Sequence, residues 1–257
     1  MQPDRPLVLC FSGHDPGGGA GIQADIESCA AQGAHALTVI TAHTVQDTGD
    51  VKRLAPVAPI LMSDQLETLL ADCTIGSIKI GLLGDAQQIP VILSAIAQTK
   101  APVVLDPILR AGGGANLAST ALLAALQAEL LQAATVLTPN AAEARRLAPG
   151  AGDLDACAKE LLKRGAKNIL ITGGDEVGEA VVNSWYCANR SPRRFAWPRL
   201  PGAFHGAGCT LAAAIAALLA KGLPMAQTLE AAQAYAYKTL QAALVVGKGR
   251  KIPRRLP

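Results

Sequence analysis

Short apolar runs alternate along the chain with segments of helical spacing, and this alternation limits the possible folds more than any other feature. The apolar runs occupy residues 7–12, 36–42, 77–83, 102–106, 135–139 and 168–172. A continuous apolar run between two helices is typical of a parallel strand that is covered on both faces. The sequence therefore predicts an α/β fold in which a mostly parallel sheet lies between helices.

The pattern changes near residues 179–199, where EAVVNSWYC and RRFAWPRL predict a hairpin-like antiparallel addition to the sheet. Two late helices are predicted to follow it. Residues 247–257 carry five basic residues and two prolines, and we expect this basic tail to be irregular and solvated. The chain has no fixed-period repeat and no central linker rich in Ser, Pro or Gly. Residues 1–257 are therefore predicted to form a single domain.

Composition excludes several classes of protein. Hydrophobic residues make up 50% of the chain and charged residues 17%, which excludes a disordered polyelectrolyte. The net charge of +3 and the aromatic content of 3% are too small to predict a nucleic-acid-binding surface. The six cysteines are scattered without a CxxC pair, so neither a disulfide framework nor a zinc site is expected.

The sequence shows no signal peptide and no apolar span of about 20 residues, the length that crosses a membrane. We therefore expect a cytoplasmic protein with reduced thiols and no membrane partner.

Glycines and small residues concentrate where the predicted strands end. The clusters lie at residues 15–21, 80–84, 105–115 and 172–175. In open α/β sheets, ligands bind beyond the carboxyl ends of the strands. The glycines therefore occur where a ligand is expected.

The most informative cluster is FHGAGCT at residues 204–210, which leads directly into an Ala-rich helix. Successive amides at a helix N-terminus bind anions, and Gly206 and Gly208 allow a phosphate to approach closely. Ala207 lies between them, and Cys209 follows in a positive field that would lower its thiol pKa. The alternative is that the glycines form only a tight turn, with Cys209 as a small buried apolar residue.

The first glycine cluster, DPGGGAGIQAD, lacks the Walker sequence GxxxxGK[ST]. A dinucleotide fold would need an acidic residue about 20 positions further on, and none fits, so a nicotinamide site is disfavoured. Asp25 is interpreted either as a surface charge or as a ligand for a substrate hydroxyl. Gln46 has an amide donor and an amide acceptor suited to the edge of a heterocycle, or it is a turn residue.

The segment TPNAAEA at residues 138–144 also allows two interpretations. Asn140 and Glu143 have the spacing of a capping-box variant, which would be purely structural. Oxygen ligands are also what Mg²⁺ prefers, and Asp106 at a neighbouring strand end would add a second carboxylate. Both interpretations stay open at this point.

Six motifs occur in one order along the chain: GHDPGGGAGIQAD, TAHTVQDT, IKIGLLG, VVLDP, TPNAAEA and HGAGCTLAAAIA. Together they resemble the hydroxymethylpyrimidine/phosphomethylpyrimidine kinases of thiamin biosynthesis, which belong to the ribokinase-like superfamily. The resemblance spans about residues 8–220. It implies a three-layer α/β/α fold. Sugar kinases of the superfamily usually have Asp at the position of Cys209. A cysteine there resembles the pyrimidine branch and its pyridoxal-kinase relatives.

The resemblance implies ATP-dependent phosphorylation of 4-amino-5-hydroxymethyl-2-methylpyrimidine, with phosphorylation of its monophosphate as a second step. The residues it assigns to the pyrimidine are Gly13, Asp25, Gln46 and Leu82. Those it assigns to ATP are Asp106, Arg110, Asn140, Glu143, Thr172 and Gly174, with Asp106 and Glu143 at Mg²⁺. Those it assigns to the anion hole are Gly206, Ala207, Gly208 and Cys209, with Cys209 beside the attacking hydroxyl as base or positioning group.

The chain departs from the family pattern at three positions. Thr172 replaces a common Lys, which leaves the second phosphorylation open, because loss of one such charged group can cost ~10²–10³-fold in rate. The segment after LDP reads RAGGGA instead of the usual Lys-Ser-Gly, and we expect Arg110 to compensate. Leu82 replaces Met, which nearly conserves volume.

Two other functions remain as alternatives. The first is a pyridoxal-type kinase, whose substrate is also a flat heteroaromatic ring with a hydroxymethyl arm. The second is a catalytically weak pyrimidine-binding homologue, which Thr172 motivates. In each case the partner is a small molecule. Family members are commonly homodimers, and the apolar segment near Trp185 and Trp197 would form such an interface or cover an edge strand.

Overall fold

A computed structural model describes residues 4–256; residues 1–3 and 257 lie outside it. One nine-stranded sheet runs through the molecule in the order β3-β2-β1-β4-β5-β6-β7-β8-β9. The strands are β1 Leu7–His14, β2 His35–Gln46, β3 Val51–Pro56, β4 Ser77–Ile80, β5 Val103–Leu105, β6 Val136–Leu137, β7 Asn168–Ile171, β8 Ala180–Cys187 and β9 Arg193–Pro198.

The helices are α1 Gly21–Ala31, α2 Pro59–Asp72, α3 Ile89–Thr99, α4 Thr120–Ala125, α5 Ala141–Leu147, α6 Leu154–Lys163, α7 Ala207–Ala220 and α8 Met225–Gln241. A 3₁₀ turn at Ala86–Gln88 precedes α3. After α4, a π-helical turn at Leu126–Leu130 and a 3₁₀ turn at Leu131–Ala133 continue the chain. In the described part of the chain, no helix is long and apolar enough to pass through a bilayer.

The six central strands are parallel, and the three outer ones are antiparallel, as the predicted α/β fold requires. The expected hairpin near residues 179–199 is confirmed as β8 and β9, which add to β7. Sequence analysis missed β3, which pairs antiparallel with β2. The reason is its composition: VKRLAP has two basic residues among six, ends in proline, and has four exposed residues, so it lacks a continuous apolar run.

Helices cover both faces of the sheet and make the predicted three layers. Along β1, Leu9 and Phe11 join the core under α2 to α6, whereas Val8 and Cys10 join the core under α1, α7 and α8. This alternation follows from the two-residue period of a strand. The alanines of α7 have little side chain, and the helix is buried almost throughout.

The basic tail contains no helix or strand in its described part. Single β-bridges join Lys251 to Phe204 and Ile252 to Leu244. The expectation that the tail is solvated is wrong at Arg255, which is only 4% exposed and makes an ion pair with Glu27. The reason is long-range packing, which the local composition of the tail does not encode.

Candidate active site

A cavity of about 640 Å³ opens at the carboxyl ends of the parallel strands. One residue at or just beyond the end of each of these six strands lines it: Asp15, Gln46, Leu82, Asp106, Thr138 and Thr172. Loops leave a parallel sheet at this edge, so polar groups from distant parts of the sequence meet there. The strand-end glycine clusters therefore do surround one cavity.

The cavity brings together thirteen of the fourteen residues that the sequence singled out. They are Gly13, Gln46, Leu82, Asp106, Arg110, Asn140, Glu143, Thr172, Gly174, Gly206, Ala207, Gly208 and Cys209. Asp25 is the exception. Its side chain is completely buried behind the wall, so it is neither the expected surface charge nor a residue facing the cavity.

The N-terminus of α7 faces the cavity without a side-chain cap. Its N-cap residue, Gly206, has a φ of 87°, which favours glycine. A Cβ at Gly206 would also collide with the carbonyl oxygen of Gly19. Uncapped amides at a helix start carry partial positive charge, so this end of α7 is suited to a phosphate group.

A hydrogen bond between His205 and Asp15 joins the first glycine cluster to the segment before α7. His205 Nε2 lies 2.8 Å from Asp15 Oδ2, and Asp15 also accepts hydrogen bonds from the amides of Gly17 (2.8 Å) and Ala20 (2.9 Å). Although burial alone would raise the pKa of Asp15, these partners hold it below its usual value. Sequence analysis missed this pair because its members are 190 positions apart.

Lys79 is another residue to which sequence analysis assigned no role. It lies on β4 with no exposed side-chain surface, and its Nζ is 3.0 Å from Ser12 Oγ and 2.9 Å from Asp25 Oδ1. Burial alone would lower the pKa of Lys79, but the charge and hydrogen bond of Asp25, together with the charge of Asp106 and of ionised Cys209, outweigh burial and raise this pKa well above its usual value. A fixed positive charge therefore lies behind the cavity wall.

Cys209 is 6% exposed at the first turn of α7. Burial raises its pKa to about 12, although Lys79 acts in the opposite direction. The expected lowering of the thiol pKa by the helix terminus is therefore wrong, because loss of water around the sulfur outweighs the positive field. Cys209 is a neutral thiol at neutral pH.

Asn140 and Glu143 do form the capping box of α5. Asn140 Oδ1 accepts from the Glu143 amide (2.8 Å), and Glu143 Oε2 accepts from the Asn140 amide (3.0 Å). Glu143 Oε1 also accepts from the amide of Leu109 at 3.3 Å. The structural interpretation of this motif is thus correct, and both residues still line the cavity.

Asp106 and Glu143 are buried carboxylates that line the cavity, and carboxylate oxygens are ligands suited to a divalent cation such as Mg²⁺. Burial raises the pKa of Asp106 to about 6, and burial followed by the charge of Asp106 raises the pKa of Glu143 to about 8. Asp106 Oδ2 is buried without a hydrogen-bond partner among the described residues. Mg²⁺ is typically held by one or two carboxylates together with substrate phosphates and water, so two such groups suffice. Residues 4–256 contain no cluster of three or more metal-binding side chains.

Gly13, Gln46 and Leu82 lie at or just beyond the ends of β1, β2 and β4 and line the cavity. Leu82 is 8% exposed, and a Cβ at Gly13 would come within 2.8 Å of its Cδ2. Glycine at this position therefore leaves room for Leu82 to pack against β1. Gln46 is half-buried and also lines the cavity.

Arg110 also lines the cavity; it is exposed, and its guanidinium donates to the carbonyl oxygen of Gly114 at 3.0 and 3.2 Å. Thr172 is bridged to Asn140 at the end of β7. Asp175, two positions after Gly173, accepts from the amides of Ala141 (3.2 Å) and Ala142 (2.9 Å). The TGGD motif thus fixes the start of α5.

A further part of the cavity is apolar and was not predicted. Val181, Trp197, Tyr237 and Leu240 line it, and the rings of Trp197 and Tyr237 have centroids 5.1 Å apart. These residues come from β8, β9 and α8, and nothing in their local spacing indicates that they share a surface.

Comparison with known proteins agrees with this geometry. The phosphomethylpyrimidine kinase family profile matches residues 15–254. The chain is 38% identical to a hydroxymethylpyrimidine/phosphomethylpyrimidine kinase of Synechococcus elongatus, covering 95% of each chain. It is 35% identical to the protein of the same name from Rhizobium meliloti, covering 95% of this chain and 94% of that one.

Solved structures with the same fold include kinases of two kinds. A pyridoxal kinase from Staphylococcus aureus in complex with pyridoxal superposes with a TM-score of 0.89 at 25% identity, covering 98% of this chain and 94% of that one. A phosphomethylpyrimidine kinase from Clostridium difficile superposes with a TM-score of 0.79 at 27% identity, covering 92% and 100%. With the family profile matched along nearly the whole chain, this protein belongs to the phosphomethylpyrimidine kinase family.

Proposed function

We propose that this protein transfers the γ-phosphoryl group of ATP to the hydroxymethyl group of 4-amino-5-hydroxymethyl-2-methylpyrimidine, and then phosphorylates the resulting monophosphate. One observation carries the proposal: the uncapped N-terminus of α7 shares a cavity with the buried carboxylates Asp106 and Glu143 and with Gly13, Gln46 and Leu82. Phosphoryl transfer depends mainly on positioning and on neutralising phosphate charge, and this cavity has groups for both.

In the proposed complex the pyrimidine ring packs on Leu82 beside Gly13, and the side-chain amide of Gln46 faces its polar edge. The hydroxymethyl arm would extend toward Cys209, which lines the same cavity. Because Cys209 is a neutral thiol, we assign it the role of a positioning group that hydrogen-bonds the hydroxyl. Asp25 would act from behind the wall, by holding Lys79.

The phosphates of ATP would lie between α7 and α5. The amides of residues 206–209 would face the transferring group, and Arg110 and Gly174, which also line the cavity, would contact the phosphates. Asp106 and Glu143 would hold Mg²⁺, whose charge would be available to neutralise the phosphate oxygens. The adenine ring fits the apolar part of the cavity lined by Trp197 and Tyr237, because it is flat and largely apolar on its faces.

Release of ADP in a coupled assay tests the proposal, with ATP, Mg²⁺ and each acceptor in turn. We expect ADP with the hydroxymethylpyrimidine and with its monophosphate, and mass spectrometry should show one and two added phosphates. Pyridoxal is the competing acceptor, favoured by the close superposition on a pyridoxal kinase. A kcat/KM for pyridoxal higher than that for the hydroxymethylpyrimidine would identify a pyridoxal-type kinase instead. Ligand binding without formation of ADP would indicate a catalytically weak pyrimidine-binding homologue.

We also propose a cytoplasmic homodimer, on the strength of the family resemblance. Size-exclusion chromatography with light scattering checks the oligomeric state, and a mass near the monomer value of 26.4 kDa would contradict it.

A further inference from the structure

Arg255 reaches from the basic tail to the interior of the molecule. Its side chain has no exposed surface, although the neighbouring Arg254 is exposed. The backbone around it is held by Tyr235, whose hydroxyl donates to the Arg255 carbonyl at 3.1 Å. A buried guanidinium needs several partners to offset its loss of water, so its contacts indicate what it holds in place.

One side of the guanidinium supports α7. Arg255 Nε donates to Thr210 Oγ1 at 2.8 Å, and Thr210 Oγ1 in turn donates to the carbonyl oxygen of Gly206 at 2.8 Å. This relay ends on the N-cap residue of α7. It therefore fixes the peptide from which the proposed anion hole begins.

The other side of the guanidinium supports the first glycine cluster. Arg255 Nη2 donates to the carbonyl oxygen of Gly19, and Nη1 donates to that of Gly18 at 3.2 Å. Nη1 also pairs with Glu27 Oε2 at 3.0 Å. The Gly19 carbonyl is the group that occupies the space where Gly206 would carry a side chain. Arg255 thus donates hydrogen bonds to both segments that meet at Gly206.

We propose that Arg255 is a positioning residue that holds the amides of residues 206–209 in register for phosphoryl transfer, an inference that rests on the proposed function. It touches neither of the proposed substrates. Only its planar, multidentate guanidinium matches acceptors on three segments at once, and a lysine ammonium lacks that geometry. The basic tail therefore contributes a residue that positions the active site.

The test compares Arg255→Ala with Arg254→Ala, the exposed neighbour. A small misplacement of catalytic groups costs on the order of 10²-fold, so we expect Arg255→Ala to lower kcat by roughly 10- to 100-fold. KM for the pyrimidine should stay within about twofold of the wild-type value, because the proposed pyrimidine site lies at the ends of β1, β2 and β4. Added guanidinium, at concentrations that leave the wild type folded, should restore part of kcat in Arg255→Ala only.

A second pair of variants covers the case in which Arg255→Ala does not fold. Thr210→Val removes the relay hydroxyl at nearly constant volume, and Thr210→Ser keeps it. We expect the valine variant to lose kcat and the serine variant to retain it. Unchanged kcat in Arg255→Ala or in Thr210→Val would overturn the inference, as would a loss in Arg255→Ala without guanidinium rescue. An inactive wild type would overturn the proposed function and this inference together.

Discussion

Lys79 Nζ lies 2.9 and 3.0 Å from the two carboxylate oxygens of Asp25, and neither side chain has any exposed surface. Two charged groups are thus removed from water behind the wall of the cavity. Their mutual attraction offsets the loss of hydration only while both are present. The positive charge of Lys79 also acts on the pKa of Asp106 and of Cys209, so the pair contributes to the field inside the cavity.

Removing one member of this pair should destabilise the protein strongly. We expect Lys79→Met to lower the free energy of unfolding by about 3–5 kcal/mol, because Asp25 is then a buried charge without its partner. The double variant Lys79→Met/Asp25→Leu should recover a large part of that loss. Urea unfolding of the wild type, both single variants and the double variant measures the coupling. Additive losses in the double variant would contradict this account.

Cys209 should behave as a thiol, since burial raises its pKa to about 12. We expect Cys209→Ser to keep kcat within about tenfold of the wild type, since loss of a general base typically costs 10²–10⁴-fold. Cys209→Ala should be less active than the serine variant, because it lacks a hydrogen-bonding group. Steady-state kinetics across neutral pH measures both. A kcat loss above about 100-fold in Cys209→Ser, with a changed pH profile, would identify a thiolate base instead.

Asp15 makes stability depend on acid pH. Its pKa is held below the usual value, so its contribution is present above about pH 4 and is lost as the pH falls through the native pKa. Asp15→Asn should remove about 2 kcal/mol at neutral pH and flatten this part of the stability curve, since hydrogen bonds to charged groups contribute about 1.5–3 kcal/mol. Denaturant unfolding at several pH values measures the effect. Parallel curves for wild type and variant would refute it.

Arg110 is the expected substitute for the lysine of the family's Lys-Ser-Gly segment, which reads RAGGGA in this chain. Its only hydrogen bonds in the described structure go to Gly114, so turning toward a phosphate costs little. We expect Arg110→Ala to lower kcat/KM for ATP by on the order of tenfold, since hydrogen bonds to charged groups contribute about 1.5–3 kcal/mol. The matched control is Arg190→Ala, which changes an exposed arginine in the turn between β8 and β9. An unchanged kcat/KM for ATP in Arg110→Ala shows that the compensation does not occur.

Local sequence signals located the sheet and its ligand-binding edge. The apolar runs mark the six parallel strands, and their bounds differ from the structure mainly at the ends. The spacing of Asn140 and Glu143 identified a capping box, and the structure adds that the same residues line the cavity. Such features are visible because they depend on residues that are close together in the chain.

Contacts between distant residues could not be read in the same way. Lys79 and Asp25 are 54 positions apart, and Arg255 and Gly19 are 236 apart. No periodicity links such residues, and composition indicated that the basic tail was solvated. Cys209 shows a related limit, because the helix field is visible in the sequence but the burial that outweighs it is not. These effects arise only when the chain is packed.

The central claim is that the amides at the start of α7 hold the transferring phosphoryl group, and Gly208 tests it most directly. Gly208 is exposed and lines the cavity, and a Cβ at this position would meet the Asp106 carboxylate at 3.9 Å, an ordinary van der Waals distance. Gly208→Val can therefore fold, and its side chain would occupy the space in front of the α7 amides. The measurement is the rate of ADP formation with the hydroxymethylpyrimidine at saturating ATP. We predict steady ADP formation by the wild type and a rate lower by on the order of 10²-fold in Gly208→Val. Equal rates in the two proteins would contradict the account.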